Sequence, residues 1–262
     1  MSVLERNNVK VSGNGEQPIM FAHGFGCDQQ MWRFVAPAFK QTHKVVLFDH
    51  LGAGQSDLAA YDSDTHTTLH GYADDVLAIA EELDLTNMIF VGHSVSTMIG
   101  VLAAIKAPHR FAKLVLVAPS PSFINDGDYI GGFGRSDIEE LLEAMDSNYM
   151  GWSSNVTPMI AGNPDHPEFA EELNNSFCRT DPTIAKEFAR VTFLTDHRAD
   201  LPKVTIPTLI IQSAHDALAP LTVGEYMQRT VPHNELVTLD VSGHCPHLSA
   251  PMQTIAAIQQ FV

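Results

Sequence analysis

Six short runs of aliphatic and β-branched residues recur along the chain, at 19–22, 44–48, 88–91, 114–117, 208–212 and 236–239, and this recurrence constrains the fold most. Each run gives way within a few residues to Gly, Asp or Ser. The runs are apolar throughout rather than alternating, as expected of strands buried on both faces of a parallel sheet. Helical patterns lie between several of them. Residues 72–83 place Val76, Ile79, Ala80 and Leu83 on one face, and 95–107 are almost wholly small or apolar. Strand alternating with helix predicts an α/β class domain, with a mostly parallel central sheet flanked by helices.

Residues 119–201 break this rhythm, with no strand pattern and at least three helix starts. Ser136-Asp137-Ile138-Glu139 reads as a capping box, and Asp165-His166-Pro167 and Asp181-Pro182 each set a carboxylate ahead of a proline suited to a first turn. The segment is either additional packing or a lid over a pocket. Its position after a strand, on the side where α/β sheets bind ligands, favours the lid. The expected organisation is one structural unit, with 1–118 and 202–262 as core and 119–201 as helical lid.

Composition narrows the function classes. A formal charge of −16 argues against nucleic acid and against an anionic membrane surface, both of which need clustered Lys and Arg. Cys27, Cys178 and Cys245 are too dispersed for a disulfide framework or a cysteine zinc site. The first residues carry no apolar signal segment and no run is long enough to span a membrane, so the expected location is cytoplasmic. No phosphate-binding or dinucleotide-binding glycine pattern is present, and no cofactor or metal is expected.

The chemistry concentrates at Gly92-His93-Ser94-Val95-Ser96, between a strand and a helix. A serine at such a turn presents its hydroxyl at the sheet edge, and small residues two positions either side let strand and helix approach. The last position is usually glycine; here it is Ser96, the next smallest practical residue. A serine hydroxyl needs a base, and the base an orienting acid, in the chain order Ser, Asp, His. The run 208–212 leads into Asp216 and the run 236–239 into His244, so Ser94, Asp216 and His244 are the candidate catalytic residues. Asp240 is a rival acid but sits too near its own strand. Among rival bases, His247 follows Pro246 on the far side of its loop and His215 precedes Asp216, pointing away. His43, His66, His70, His109, His166, His197 and His233 are expected at the surface or as helix caps. The developing oxyanion needs two donors. The Val95 N–H follows the nucleophile, and the Phe25 N–H lies in the glycine-flanked loop His23-Gly24-Phe25-Gly26.

The segments His23 to Gln29, Phe48 to Gly54, Gly92 to Ser96, Ser120 to Asp126, Gly131 to Phe133 and Gly243 to His247 resemble the α/β-hydrolase subgroup of the bacterial RsbQ-like proteins and the plant karrikin and strigolactone receptors. The likeness covers nearly the whole chain. Ser96 is the form the plant receptors carry, whereas Gly-His-Cys-Pro-His is closer to the bacterial proteins. The resemblance implies an α/β-hydrolase fold with a V-shaped four-helix lid over an apolar pocket, and Phe25, Phe123, Trp152 and Phe193 as pocket walls. Each of these aromatics could equally be ordinary core.

Two functions follow. One is an esterase or lactonase acting on a small hydrophobic ester or lactone. The other is a small-molecule receptor with slow turnover; the resemblance to RsbQ-like proteins implies a PAS-domain phosphatase partner in a general stress pathway. A cofactor-free dioxygenase or perhydrolase is a third possibility on the same fold. An epoxide hydrolase or dehalogenase would require Asp at position 94.

Overall fold

The computed structural model describes all 262 residues, Met1–Val262. Seven strands form one sheet: β1 (Lys10–Ser12), β2 (Pro18–Ala22), β3 (Lys44–Leu47), β4 (Met88–His93), β5 (Phe111–Val117), β6 (Thr208–His215) and β7 (Asn234–Ser242). Their order is β1-β3-β2-β4-β5-β6-β7. Every pairing is parallel except β1 with β3. Five of the six predicted runs lie wholly in strands, and the sixth, 44–48, overruns β3 by Phe48. β1 went unpredicted because it has three residues, none of them buried, and so carries no apolar signature.

The sheet separates two apolar layers. Met20, Phe90, Leu114, Leu116 and Ile210 face one, while Ile19, Phe21, Ile89, Val91, Val115 and Ile211 face the other. Successive side chains point to opposite faces, so a strand apolar at every position serves both layers. Helices α1 (Val3–Arg6), α2 (Leu69–Glu82), α3 (Val95–Lys106), α8 (Leu221–Thr230), α9 (Pro246–Ser249) and α10 (Pro251–Phe261) belong to this part of the chain. No helix is long and apolar enough to cross a membrane.

Between β5 and β6 lie α4 (Arg135–Ser147), α5 (Tyr149–Ala161), α6 (Pro167–Phe177) and α7 (Pro182–Phe193). Two of the expected caps are displaced. The cap of α4 is Gly134, whose N–H donates to the Asp137 carboxylate at 2.8 Å, so Ser136 and Glu139 form no box. The Phe133 N–H is held by Phe123 O, and the chain turns into the helix directly after it, ahead of Ser136. With Pro167 first in α6, the cap position falls on His166, and Asp165 is one residue too early to reach a free amide. Asp181 caps α7 as expected, accepting from the Thr183 and Ile184 N–H groups. Asn148, which caps α5, was not anticipated.

Candidate active site

Four loops meet at the carboxyl ends of parallel strands: those following β2, β4, β6 and β7. The turn after β4 is the tightest. Ser94 stands between strand and helix at φ 54°, ψ −122°, a conformation that costs an L residue energy and persists only where its surroundings impose it. Its N–H is fixed to Val117 O at 2.9 Å, and its own carbonyl accepts from Thr97 N at 2.9 Å. Gly92 makes the turn possible, since a Cβ there would lie 2.5 Å from Ser96 O.

The serine hydroxyl lies 2.8 Å from His244 Nε2, and His244 Nδ1 lies 2.7 Å from Asp216 Oδ2. A carboxylate only accepts, so Nδ1–H donates to Asp216 and Nε2 is left to accept from Ser94. The other carboxylate oxygen, Asp216 Oδ1, accepts from the Leu218 and Ala219 N–H groups at 2.8 and 3.1 Å. His244 is fixed by its backbone as well. Its N–H donates to Ile160 O of α5, and its carbonyl accepts from His93 Nε2, both at 2.9 Å. All three side chains are buried. The rivals lie elsewhere. Asp240 and His215 are exposed, and His247 is buried against the Trp32 ring, 4.5 Å between centroids, with neither ring nitrogen bonded. Burial pushes the His247 imidazole down to about 3.

Two amides beside Ser94 have no acceptor in the protein. Val95 opens α3, where an N–H has no acceptor within the helix. The Phe25 N–H makes no hydrogen bond to the protein. Gly24 lets the Phe25 loop pack against the elbow, since a Cβ there would stand 2.6 Å from His93 Nδ1.

In front of Ser94 is a cavity of about 30 Å³. Phe25, Trp152 and Phe193 line it, as do Phe177, Leu173, Val156, Ile160, Leu141 and the thiols Cys27 and Cys245. Phe123 is not in the wall; it packs behind Phe193 at 5.1 Å between ring centroids. Phe177 was missed in sequence, though Phe169, Leu173 and Phe177 recur every fourth residue along α6 and mark its inward stripe. Both thiols are buried and held protonated by that burial, with Cys27 raised beyond the ordinary thiol range. Of the histidines expected at the surface or as helix caps, His66 and His197 are buried, the first with its Nε2 2.9 Å from Asp75 and the second, at the cap position of the turn Arg198–Lys203, with its Nδ1 3.0 Å from Asp200. A neighbouring carboxylate is what lets an imidazole be buried there, and sequence spacing alone does not reveal it.

A seven-stranded, mostly parallel sheet with a serine on a strained strand–helix turn, a histidine and a carboxylate delivered from later loops, and helices inserted before β6 defines the class: the chain belongs to the α/β-hydrolase fold family, whose profile matches residues 17–251. Its relatives are more specific. It is 41% identical over 261 residues to a karrikin insensitive 2 receptor of Petunia hybrida, covering 99% of this chain and 97% of that one. It is 40% identical over 253 residues to the strigolactone esterase of Arabidopsis thaliana, covering 96% and 94%. Among solved structures, a hydrolase from Oleispira antarctica superposes with a TM-score of 0.97 at 42% identity, covering 99% of this chain and 95% of the other.

Proposed function

We propose that the chain is a serine esterase or lactonase for small apolar esters, working through Ser94, His244 and Asp216. The observation that carries this reading is the unbroken relay from the Asp216 carboxylate through His244 to the Ser94 hydroxyl, at 2.7 and 2.8 Å. Ser94 Oγ attacks the acyl carbon while its proton passes to His244 Nε2. The carbonyl oxygen takes up the electron pair, and the Phe25 and Val95 N–H groups stabilise it. The ester C–O bond then breaks and the leaving alkoxide takes the proton from His244. Water enters, gives a proton to His244 and attacks the acyl-serine; the bond from the acyl carbon to Ser94 Oγ then breaks, Oγ takes the proton back from His244, and the acid leaves. Asp216 holds the imidazole in the required tautomer. No metal or cofactor enters any step.

The substrate class follows from the walls. Apart from the reacting groups the cavity is aromatic, aliphatic and thiol, with only Thr192 and the His93 ring as further polar side chains. Its volume accommodates about two or three waters, which suits a short acyl group. The helices α4 to α7 supply Leu141, Trp152, Val156, Ile160, Leu173, Phe177 and Phe193 to the wall, so the segment 119–201 acts as the lid over core segments 1–118 and 202–262. Replacing Ser94 by Ala tests the reading: hydrolysis of p-nitrophenyl acetate should fall by several orders of magnitude with thermal stability nearly unchanged. Activity within tenfold of wild type removes Ser94 as the nucleophile.

The 41% identity to a protein named as a receptor favours a second reading, in which turnover is slow and the occupied lid signals to a protein partner. The motifs shared with RsbQ-like proteins would make that partner a PAS-domain phosphatase. Turnover separates the two: a burst of one equivalent of product followed by a very slow phase supports a receptor, and sustained turnover supports an enzyme.

A further inference from the structure

The hydroxyl at position 96 does more than fit a space that usually holds glycine. Ser96 Oγ donates to His23 O at 2.5 Å and lies 2.7 Å from His50 Nε2. The hydroxyl has one proton, already given to a carbonyl, so His50 Nε2–H is the donor in the second bond. The His50 Nδ1 is buried with no acceptor beside it, which is compatible with an Nδ1 that carries no proton. The His50 backbone N–H donates to His23 Nε2 at 3.0 Å, which leaves the proton of the His23 ring on Nδ1. That Nδ1–H donates to Gly24 O at 2.9 Å. The bonds close a ring: His23 carbonyl, Ser96 hydroxyl, His50 ring, His50 amide, His23 ring, Gly24 carbonyl. His23, His50 and Ser96 are all 1% exposed or less, so no water competes for these bonds.

The ring ends on the atom that matters for the oxyanion. Gly24 O and the Phe25 N–H belong to one planar, trans peptide, so they point in opposite directions. Fixing the carbonyl toward the His23 ring therefore fixes the N–H on the side away from that ring. Burial holds the His50 imidazole neutral, so its Nδ1 stays bare and the direction of donation does not reverse at ordinary pH.

We propose that Ser96 and His50 are positioning residues for the oxyanion-stabilising amide of Phe25. The inference rests on the serine-hydrolase reading above. Neither residue touches substrate. Each acts through His23 on a peptide whose carbonyl has one other partner, the Cys27 N–H at 3.3 Å across the Gly24–Cys27 turn, so the shorter bond from the His23 ring is the one that Ser96 and His50 control. Deleting an oxyanion donor costs about 10²–10³ in kcat. Loosening one should cost less, on the order of tenfold.

The test compares Ser96→Ala, Ser96→Gly and Ser96→Thr with wild type on p-nitrophenyl acetate, and measures inhibition by phenylboronic acid, whose tetrahedral adduct places an oxygen in the oxyanion position. Both variants lacking the hydroxyl should lose about tenfold or more in kcat with KM little changed, and boronate affinity should weaken by a similar factor. Ser96→Thr, which keeps the hydroxyl, should recover much of both. Glycine is the usual residue at this position, so Ser96→Gly keeps the comparison available if Ser96→Ala folds poorly. Wild-type kcat and boronate affinity in Ser96→Gly overturn the proposal, as does a loss of kcat without a parallel loss of boronate affinity. Ser94→Ala is run alongside. If Ser94→Ala is inactive while Ser96→Gly is unimpaired, only the positioning role fails; if Ser94→Ala is active, the hydrolase reading fails first.

Discussion

At the scale of single residues, the site depends on where proton donors point. Asp216 illustrates this, because both its oxygens are committed, one to two backbone amides and one to His244. An Asp216→Asn change keeps the shape but presents an N–H where an acceptor is needed, or forces the ring into the other tautomer. A loss of roughly 10⁴ in kcat/KM is expected by comparison with the same substitution in a serine protease. Asp240 is exposed, and Asp240→Asn should leave kcat/KM within about twofold. Steady-state kinetics on one ester decide the matter, and equal damage from both changes would remove Asp216 from its assigned role. Ser94, Asp216 and His244 could be read from sequence because each follows an apolar run, and chain order selects among rivals. The work of Ser96 could not be read that way. Its partners, His23 and His50, lie 73 and 46 residues away, and only the pairing of β2, β3 and β4 brings them together.

At the scale of elements, the inserted helices do more than cover the cavity. The carboxyl end of α5 is tied to the His244 loop: Ile160 O accepts from His244 N, and Asn163 Nδ2 donates to Ser242 O at 2.9 Å. Ion pairs Arg33–Glu172 and Arg179–Asp28 join α6 and its end to the loop after β2. The existence of helices here was legible from Pro and capping residues. Their inner faces were only partly so, since an aromatic on a lid helix and one in a core look alike in sequence. Trp152 shows what this changes. From sequence, truncating a pocket wall is expected to harm bulky esters more than acetates. The 30 Å³ cavity reverses the direction, because Trp152 fills the room a longer acyl chain would need. Trp152→Ala should raise the ratio of kcat/KM for p-nitrophenyl hexanoate over acetate on the order of tenfold. An unchanged ratio would place the acyl chain elsewhere.

At the scale of the whole molecule, the buried histidines tie stability to pH. Burial keeps His50, His93 and His247 neutral in the folded protein, with nearby imidazoles adding to the effect on His50 and His93. An unfolded chain protonates them below about pH 6.5. Their contribution is therefore complete above that pH and is lost as pH falls, with each costing about 1.4 kcal/mol per pH unit while its unfolded form alone is charged. His66 works the other way. Burial is the largest influence and opposes its charge, but the hydrogen bonds to the Asp75 carboxylate and to Asp62 O, together with the Asp75 charge, outweigh it and raise the pKa, so its contribution is present at low pH and lost as pH rises through the folded value. Below pH 6.5 His66 is charged in both states and adds almost no slope, so the three neutral imidazoles set it. The unfolding free energy in urea should fall by about 3 kcal/mol per pH unit between pH 6.5 and 5. His247→Phe, which keeps a ring against Trp32 and removes two unbonded nitrogens, should flatten the slope. A free energy independent of pH across that range would contradict this account. The α/β class and parallel sheet were legible because buried strands announce themselves by unbroken apolar runs. The short polar edge strand β1 and the carboxylate-paired histidines were not, since their placement is settled by contacts distant in sequence.

The central claim is that an ester's acyl group passes through Ser94. Rapid acid quench of the protein with p-nitrophenyl acetate, followed by peptide mass spectrometry, measures this directly. One acetyl group should appear on the peptide bearing Ser94, should be absent in Ser94→Ala, and should persist longer in His244→Ala if any forms. An acetyl group found only on another residue, or steady hydrolysis with unmodified Ser94 at every quench time, would contradict the account.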